Sequence, residues 1–428
     1  MRVLSVSLLV GWSVSTLCVA GPPAPNRDRP VNYVEWLNRG FLKRVKDNAA
    51  REYDAAAKAL RSEEGARVLY DQRGAGSWSS KDKDWLANLL KRNESALRQF
   101  AAAARREDCY FKLESNSGAM AAVAFPSLAK LRDVARLVAL RAWLRMEEGD
   151  LDGALDDAET LLRCQHHLME QPILIHYLVG LGIGVMGYDV LLNAAWTTAG
   201  RFDAEALLAR LDRVDRRPRT PRRQFTTEKL SAFDVAQRHL HDGDGDGLFD
   251  QLGLPDEIEN EAFPLIPAKS FDTIIAETKD FYAKLAKLCD DDYQPVARLT
   301  KEIEAEIEQN KTTLIGFTAP SLPRVALLHR RARTMHNGVR TALLLREYHA
   351  KHGRWPEQLG HAVVGKWKDH ATDPFSGKPF GYRLRDGIPL LYSVSDNGRD
   401  EGGKSFQPDG GAKWGETGDY AFWPPQHK

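Results

Sequence analysis

The first half of the chain carries apolar residues at the spacing of amphipathic helices. From Leu131 to Met146 they recur every three or four residues, Gly149-Asp150 interrupts the pattern, and it resumes from Leu151 to Leu168. Apolar residues at this spacing share one face of a helix, and glycine is common where a helix ends. Strong helix formers dominate the flanking sequence, so we expect residues 31 to about 213 to be nearly all helical.

The most apolar stretch inside the chain is Pro172 to Trp196. A membrane-spanning helix here would place His176, Asp189 and Asn193 in lipid at a high free-energy cost. A dinucleotide-binding loop, suggested by Gly182-x-Gly184-x-x-Gly187, requires a preceding strand, whereas the flanking sequence is helical. We favour a buried central helix whose glycines allow neighbouring helices to approach closely.

The segment 139–162 is a helix–Gly-Asp–helix unit that resembles a tetratricopeptide-type hairpin. Ala154 permits close packing after the turn, and Trp143 is a candidate packing residue. A similar turn, Ala199 to Asp203, follows about 50 residues later, whereas tandem repeats of this class recur about every 34 residues. We therefore expect a repeat-like domain of helical hairpins rather than a regular solenoid, with a groove suited to a protein or peptide partner.

A second long helix is expected near the carboxyl end, over residues 329–352, with Gly353 as its C-cap. Its apolar residues form one stripe at helical spacing, so the pattern predicts an amphipathic helix with one buried face. The stripe consists of Met335, Val339, Ala342, Leu345 and Tyr348.

After this helix the pattern changes to alternation. Asp386-Gly387 is a typical two-residue hairpin turn, and it separates alternating apolar runs over 380–384 and 388–394. Residues 419–423 predict a third strand. Pro389 cannot donate a main-chain hydrogen bond, so we expect it at an edge or a bulge of the sheet.

The predicted fold class is mainly α, with a multi-helix domain of repeat-like hairpins and a small C-terminal α+β domain that contains an antiparallel three-stranded sheet. Five segments are expected: a signal peptide at 1–20, an extended linker at 21–30, a helical-hairpin domain at 31–213, a second helical region with an Asp/Gly-rich loop at 214–324, and the α+β domain at 325–428.

Composition agrees with a globular protein. The chain has 428 residues, of which 43% are hydrophobic, and 60 Lys and Arg oppose 59 Asp and Glu. This apolar fraction suffices for a hydrophobic core. Because the net charge is near zero, the chain does not have the excess of basic residues that is typical of nucleic-acid-binding proteins. We therefore expect a soluble protein of several parts with no nucleic-acid partner.

Met1 to Ala20 has the pattern of a secretory signal peptide. Arg2 gives a positive start, an apolar stretch follows, and Cys18-Val19-Ala20 forms a small-x-small cleavage site before Gly21. Lipidation at Cys18 is the less favoured alternative, because Leu17 is bulky for the position before a lipidated cysteine. We expect an exported protein, periplasmic or extracellular, with no stable membrane span once the leader is removed.

Cleavage after Ala20 leaves three cysteines, Cys109, Cys164 and Cys289. Pairing of two of them in an oxidising compartment and retention of three buried thiols are both consistent with the sequence. The sequence does not determine which two would pair.

The C-terminal quarter of the chain resembles the soluble head of the major pseudopilin of type II secretion. The resemblance is carried by Tyr348…Gly353-Arg-Trp355-Pro356, by Asp373 to Pro379, by Ser393-Val-Ser-Asp396-Asn-Gly398, and by Gly418-Asp419 to Trp423. Pseudopilins carry this head on an N-terminal filament helix, whereas here some 300 residues of helical sequence precede it. We therefore carry over only the fold of the head and its metal loop. The arrangement also resembles exported proteins of planctomycete-type bacteria.

In the pseudopilin family the loop after the hairpin binds calcium. The resemblance implies Asp396, Asp400 and Asp419 as ligands here, with Asn397 as a further candidate. Oxygen donors on a glycine-rich loop suit Ca²⁺ chemically. The alternative is an acidic loop held by Asx turns without metal.

A second, weaker calcium candidate is the Asp/Gly-rich run that contains Asp242, Asp244, Asp246 and Asp250. It matches the first half of an EF-hand loop. Position 12 is Gly253, so the bidentate glutamate that completes such a loop is missing. A solvated acidic turn is the alternative.

No complete catalytic signature occurs in the chain. His166, His167 and Glu170, with His176 further on, invite a zinc-hydrolase hypothesis, but the HExxH arrangement is absent. We expect an exported, non-catalytic binding or scaffold protein with a calcium-stabilised C-terminal domain. The alternatives are an exported hydrolase with its site among the central helices, and a component of the cell envelope or of a secretion machine.

Overall fold

The computed structural model describes residues 21–61, 64–71, 78–197, 203–214, 219–242, 270–289, 296–309, 322–404, 414 and 417–424. The helices are α1 Tyr33–Leu42, α2 Ala50–Ala59, α3 Glu64–Asp71, α4 Ser80–Arg92, α5 Glu94–Ala104, α6 Leu128–Glu148, α7 Leu151–Met169, α8 Leu174–Thr197, α9 Ala204–Val214, α10 Arg222–Asp242, α11 Phe271–Lys287, α12 Val296–Gln309, α13 Leu322–His352 and α14 Leu359–Ala362. Short 3₁₀ helices cover Met120–Ala122 and Gly365–Ala371, and the strands are β1 Gly381–Arg385, β2 Ile388–Ser393 and β3 Tyr420–Trp423. The predicted fold class, mainly helical with a small antiparallel three-stranded sheet, is confirmed.

The α6–α7 hairpin forms as the sequence predicts. Gly149 adopts φ 84° after the last residue of α6, and the Asp150 side chain caps α7 by accepting from the Gly153 amide at 3.0 Å. Only glycine adopts this left-handed conformation without strain, so the turn is encoded locally. Trp143 is buried and packs against Tyr70, with ring centroids 5.1 Å apart. Of the similar turn further on, residues 199–202 lie outside the described residues.

The expectation that residues 31 to about 213 are nearly all helical fails between α5 and α6. Residues 105–127 contain turns, bends and irregular chain apart from the short 3₁₀ helix. Side chains from distant parts of the sequence supply hydrogen bonds to the backbone there. Asn48 accepts from the Tyr110 amide at 2.9 Å and Gln171 donates to the Cys109 carbonyl at 2.8 Å, so the segment is bound to neighbouring helices instead of coiling.

Helix α8 is a buried central helix. Gly180, Gly184 and Gly187 face α7, and a Cβ placed on Gly184 would lie 1.8 Å from Oε1 of Gln165. Within the described ranges it is the one helix long and apolar enough to cross a membrane, yet 67% of its most apolar window is buried inside the protein. The glycines thus serve the close helix contact that the sequence suggested.

Helix α13 differs from the amphipathic helix expected from its stripe, because every residue from Ala332 to Arg346 is buried. Several of its arginines are buried as well and bond to other parts of the fold. Arg330 donates to the Pro374 carbonyl at 2.7 Å, Arg340 to Asp212 at 3.0 Å, and Arg346 to the Ala195 carbonyl at 3.2 Å. A guanidinium with five donors can satisfy several carbonyl and carboxylate oxygens at once, which allows a charged helix in the interior.

The sheet has the order β1-β2-β3. Asp386 and Gly387 both have positive φ, 52° and 77°, which is the hairpin turn predicted for this pair. Pro389 lies in the central strand, where it faces Leu384 of β1, whereas β3 pairs only with residues 391–393. Its missing N–H therefore faces the side that β3 does not reach, so the central strand tolerates a proline.

The sheet packs directly on the helices. The aromatic ring of Phe422 fills the space left by Gly338 of α13, where a Cβ would lie 2.5 Å from the ring. Trp423 contacts Trp196 at the end of α8 with ring centroids 5.2 Å apart. Leu391, Phe422 and Trp423 belong to the same hydrophobic cluster as α2, α5, α6, α7 and α8. The loop between β2 and β3 is thus anchored at both ends.

Candidate metal centre

The loop after β2 folds back onto the start of β3. Its path depends on glycine, because Gly398, Gly402 and Gly403 all have φ between 66° and 73°. The Asp419 amide donates to the Lys404 carbonyl at 2.8 Å, which closes the loop. Residues 395–404 therefore form a compact turn with Asp419 at its centre.

Asp419 is almost completely buried, with 1% of its surface exposed. Its Oδ2 accepts from the Glu401 amide at 3.0 Å and from the Gly403 amide at 2.6 Å. Its Oδ1 is buried without a hydrogen-bond partner. Amide groups aimed at one oxygen favour the charged carboxylate, but the second oxygen is left unsatisfied.

Two further carboxylates surround Asp419. Glu401 accepts from the Asn397 amide nitrogen at 3.0 Å through Oε1, and its Oε2 is buried without a partner. Asp400 accepts from the Tyr392 hydroxyl at 2.9 Å and from the Gly402 amide at 2.8 Å. Burial raises the pKa of Asp419 to about 7, together with the negative charges of Glu401 and Asp400 and the proton that the Glu401 carboxyl can share with it, while the Gly403 amide lowers it.

The other buried aspartates of the described residues have donors on both carboxylate oxygens. Their donors are Arg141 and Arg145 for Asp157; Met120, Gln237 and Arg238 for Asp234; Phe375, Ser393 and Val394 for Asp373; and Arg331 for Asp396. Asp419 alone among these five combines an unsatisfied buried oxygen with carboxylates as its charged neighbours. Among these five buried aspartates, Asp419 is therefore the one whose surroundings would favour a bound cation most.

The calcium ligands expected from the sequence divide into two groups. Asp400 and Asp419 lie together, as expected, but both oxygens of Asp396 are bound by the Arg331 guanidinium. Asn397 points its amide nitrogen at Glu401, and its oxygen accepts from the Arg399 amide at 2.7 Å. Asp396 and Asn397 are therefore committed to structural contacts in this arrangement.

Glu401 was not expected from the sequence, although its orphaned oxygen makes it the closest counterpart of Asp419. The Asp400-Glu401-Gly402-Gly403 run was the available signal, because adjacent acids before two glycines suit a tight oxygen-lined turn. The described residues contain no group of three His, Cys, Asp or Glu side chains that could hold a metal ion by themselves. Metal binding at this loop would therefore also require main-chain oxygens or water.

A groove of about 1180 Å³ opens beside the loop, between α12 and α13. Its walls carry Arg298 and Lys301 from α12, Leu328 from α13, and Asp396 and Glu401 from the loop. Arg331 also lines it and links α13 to Asp396 by their ion pair. The acidic loop thus forms part of one wall of the groove.

The weaker calcium candidate cannot be compared in the same way. Asp242 ends α10, and Asp244, Asp246 and Asp250 lie outside the described residues. A metal site there stays a prediction.

The four residues of the hydrolase hypothesis have separate partners. His167 bonds to the Tyr53 hydroxyl at 3.0 Å, His176 stacks on Phe111 with centroids 5.3 Å apart, and Glu170 forms ion pairs with arginines of the segment 219–223. His166 is half-buried near the end of α7.

Burial lowers the pKa of both His167 and His176 to about 4, so both imidazoles are neutral at pH 7. Neither histidine lines the large groove. His167 has a partner at each ring nitrogen, whereas Nδ1 of His176 is buried without one, and both rings pack in the core.

Comparison of the chain with protein-family models, with curated proteins and with solved structures finds no match. The resemblances to pseudopilin heads and to tetratricopeptide-type hairpins therefore stay predictions.

Proposed function

We propose that this chain is an exported, non-catalytic binding or scaffold protein whose C-terminal α+β domain is made rigid by calcium. The ion would bind at Asp419 and Glu401, with Asp400 beside them. The single observation that carries this proposal is the buried pair of unsatisfied carboxylate oxygens, Oδ1 of Asp419 and Oε2 of Glu401.

Electrostatics favour a cation at this point. Two carboxylates that share a buried site repel each other, and either a proton or a metal ion relieves the repulsion. The donor set consists of oxygens alone, which suits calcium better than zinc, a metal that prefers histidine and cysteine. Calcium also accepts main-chain carbonyl oxygens and water as ligands, which would complete the shell around two or three carboxylates.

The binding role follows from the position of the loop. Glu401 lies in the wall of the large groove, next to the ion pair of Arg331 and Asp396. An ion bound to Glu401 would fix this wall against α13 and so preorganise the groove for a protein or peptide. Export would place the site where calcium is plentiful, so a weak extracellular-type affinity would suffice.

The other two functions have less support. The hydrolase hypothesis needs a cleft that joins His166, His167, Glu170 and His176, and these residues have separate structural partners. A role in the cell envelope rests on the expected leader, Met1 to Ala20, alone.

Thermal unfolding of the full mature chain from Gly21 tests the proposal. Calcium chloride should raise Tm relative to chelator by several degrees, because a ligand that binds only the folded state stabilises it. Asp419→Asn should abolish the calcium response, while Asp386→Asn in the exposed hairpin turn should retain it. Equal Tm values with calcium and with chelator, or an unchanged response in Asp419→Asn, would remove the metal from the proposal.

Export is tested separately by the amino terminus of the protein recovered from the culture medium or the periplasm. A chain that begins at Gly21 is expected. A chain that stays in the cytosol with Met1 in place would overturn export without affecting the calcium result.

A further inference from the structure

Two of the three mature cysteines lie close to each other, and the third lies elsewhere. Cys164 is buried in the large cluster that holds α2, α5, α6 and α7, and Cys109 packs against the same cluster. Cys289 follows α11 in a separate cluster, near Tyr177. Any intramolecular pair is therefore Cys109 with Cys164.

The segment that carries Cys109 runs along the face of α7 that carries Cys164. The Arg106 carbonyl lies 3.1 Å from Nε2 of His167, and Gln171 donates to the Cys109 carbonyl at 2.8 Å. Cys164 and His167 are three residues apart on α7, so they share one side of the helix, and Gln171 follows just beyond its end. The segment that carries Cys109 therefore lies beside the face of α7 that carries Cys164.

Tyr53 marks the place where the two thiols meet. Its hydroxyl lies 3.0 Å from Nδ1 of His167, and the Cys164 thiol is near enough to interact with it electrostatically. Cys109 is near enough to interact electrostatically with both Tyr53 and Cys164. Both thiols thus lie near the buried phenol of Tyr53.

We propose that Cys109 and Cys164 form a disulfide in the exported protein and that Cys289 stays a thiol. The proposal rests on export, because disulfides form and persist in oxidising compartments. Both residues are thiols in the reduced chain described above.

The oxidant is a dithiol–disulfide oxidoreductase in its disulfide form. The Cys109 thiolate attacks one sulfur of that disulfide, which breaks the S–S bond and releases the oxidoreductase's other thiolate. The Cys164 thiolate then attacks the Cys109 sulfur, forms the new bond and displaces the first oxidoreductase sulfur. The protein loses two protons and two electrons, and the oxidoreductase ends as a dithiol.

Timing follows from burial. Burial raises the pKa of Cys164 to about 12 and that of Cys109 well above its ordinary value, so few thiolates exist in the folded chain. Cys164 is also fully enclosed. The bond therefore forms during folding, before the core closes, and the folded chain then protects it from reductants.

Thiol counting on the full exported chain tests this inference. The protein is denatured without reductant, treated with N-ethylmaleimide and digested. The expected result is one adduct, on Cys289, and a peptide pair joined through Cys109 and Cys164 that separates on reduction. Adducts on all three cysteines, or a bond that includes Cys289, would overturn it.

Cysteine variants test which thiols carry the N-ethylmaleimide adducts. Cys289→Ser should keep the joined peptides and carry no adduct, whereas Cys109→Ser should carry adducts on Cys164 and Cys289. The leaderless chain, refolded with oxidised glutathione, should give the same joined pair. This refolding experiment distinguishes the two proposals. Three free thiols in the refolded leaderless chain would overturn the disulfide, whereas retention of Met1 in cells would overturn export alone.

Discussion

Two buried aspartates, one in the α6–α7 hairpin and one in the C-terminal sheet, differ in how their charge is compensated. Asp157, in the α6–α7 hairpin, receives hydrogen bonds from Arg141 and Arg145 on both oxygens. Asp419, at the start of β3, receives two amide hydrogen bonds on one oxygen and none on the other, and its charged neighbours are acids. Burial raises the pKa of both, but arginines oppose the shift at Asp157, whereas acids add to it at Asp419. The charge of Asp157 is thus compensated by arginines of its own hairpin. The charge of Asp419 has acids around it, so a proton or a metal ion would have to compensate it.

The largest effect is expected from removing the compensation at Asp157. Arg141→Met leaves a buried carboxylate with one arginine partner, and breaking a buried pair in this way costs about 3 kcal/mol. Urea unfolding of the full chain measures it. Arg132→Met, on the exposed side of α6, is the control and should change the free energy of unfolding by less than about 0.5 kcal/mol. A small effect at Arg141 would mean that Arg145 alone suffices.

The opposite sign is expected at Asp419. In chelator, Asp419→Asn keeps an oxygen for the two amides and removes one of the clustered negative charges, so it should stabilise the chain by about 1 kcal/mol. The matched change Asp157→Asn removes a charge that arginines need, and it should destabilise. Tm in chelator measures both. Destabilisation by Asp419→Asn in chelator would contradict the repulsion inferred for the loop.

The gain from Asp419→Asn should depend on pH. The Asp419 carboxyl has an ordinary pKa of 3.8 in the unfolded chain and a pKa of about 7 in the folded one, so the folded state binds the extra proton between these values. Stability therefore falls as pH rises through this window in the wild type and not in the variant. The difference in Tm between the two, measured in chelator, should grow from nearly zero at pH 4 to its full value above pH 7. The histidines with lowered pKa values cancel in this difference.

The smallest change in the calcium response is expected at Asp396. This variant distinguishes the ligand set implied by the pseudopilin resemblance, which includes Asp396, from the set supported by the structure, which does not. Asp396→Asn weakens the pair with Arg331 and should cost about 1 kcal/mol. It should leave the calcium-induced rise in Tm unchanged, because both Asp396 oxygens already bind arginine. Loss of the calcium response in this variant would restore Asp396 to the site.

Much of the fold could be predicted from local signals. Gly149-Asp150 ends one helix and caps the next, and Asp386-Gly387 makes a two-residue turn, because both depend on the φ preferences and side-chain oxygens of adjacent residues. The buried position of α8 followed from its composition. The irregular segment 105–127 was missed because its hydrogen bonds include those from Asn48 and Gln171, which are distant in sequence.

The candidate site was predicted only in part. Asp400 and Asp419 were expected from the family resemblance, and the structure brings them together with Glu401. Asp396 looked equivalent to them in sequence, but Arg331, 65 residues earlier on α13, binds it. A pattern of acids on a loop cannot show which of them has an arginine neighbour, because that neighbour is set by helix packing.

The sequence by itself determined the Gly149-Asp150 helix turn, the Asp386-Gly387 hairpin turn and the mainly α class, because these result from interactions within a few residues. Tertiary structure alone decided which buried carboxylate received a counter-charge, which cysteines pack in the same cluster, and that much of α13 is enclosed despite its arginines. Each of these depends on partners tens to hundreds of residues apart, and the energy of a buried charge depends on the distance and sign of its neighbours in space.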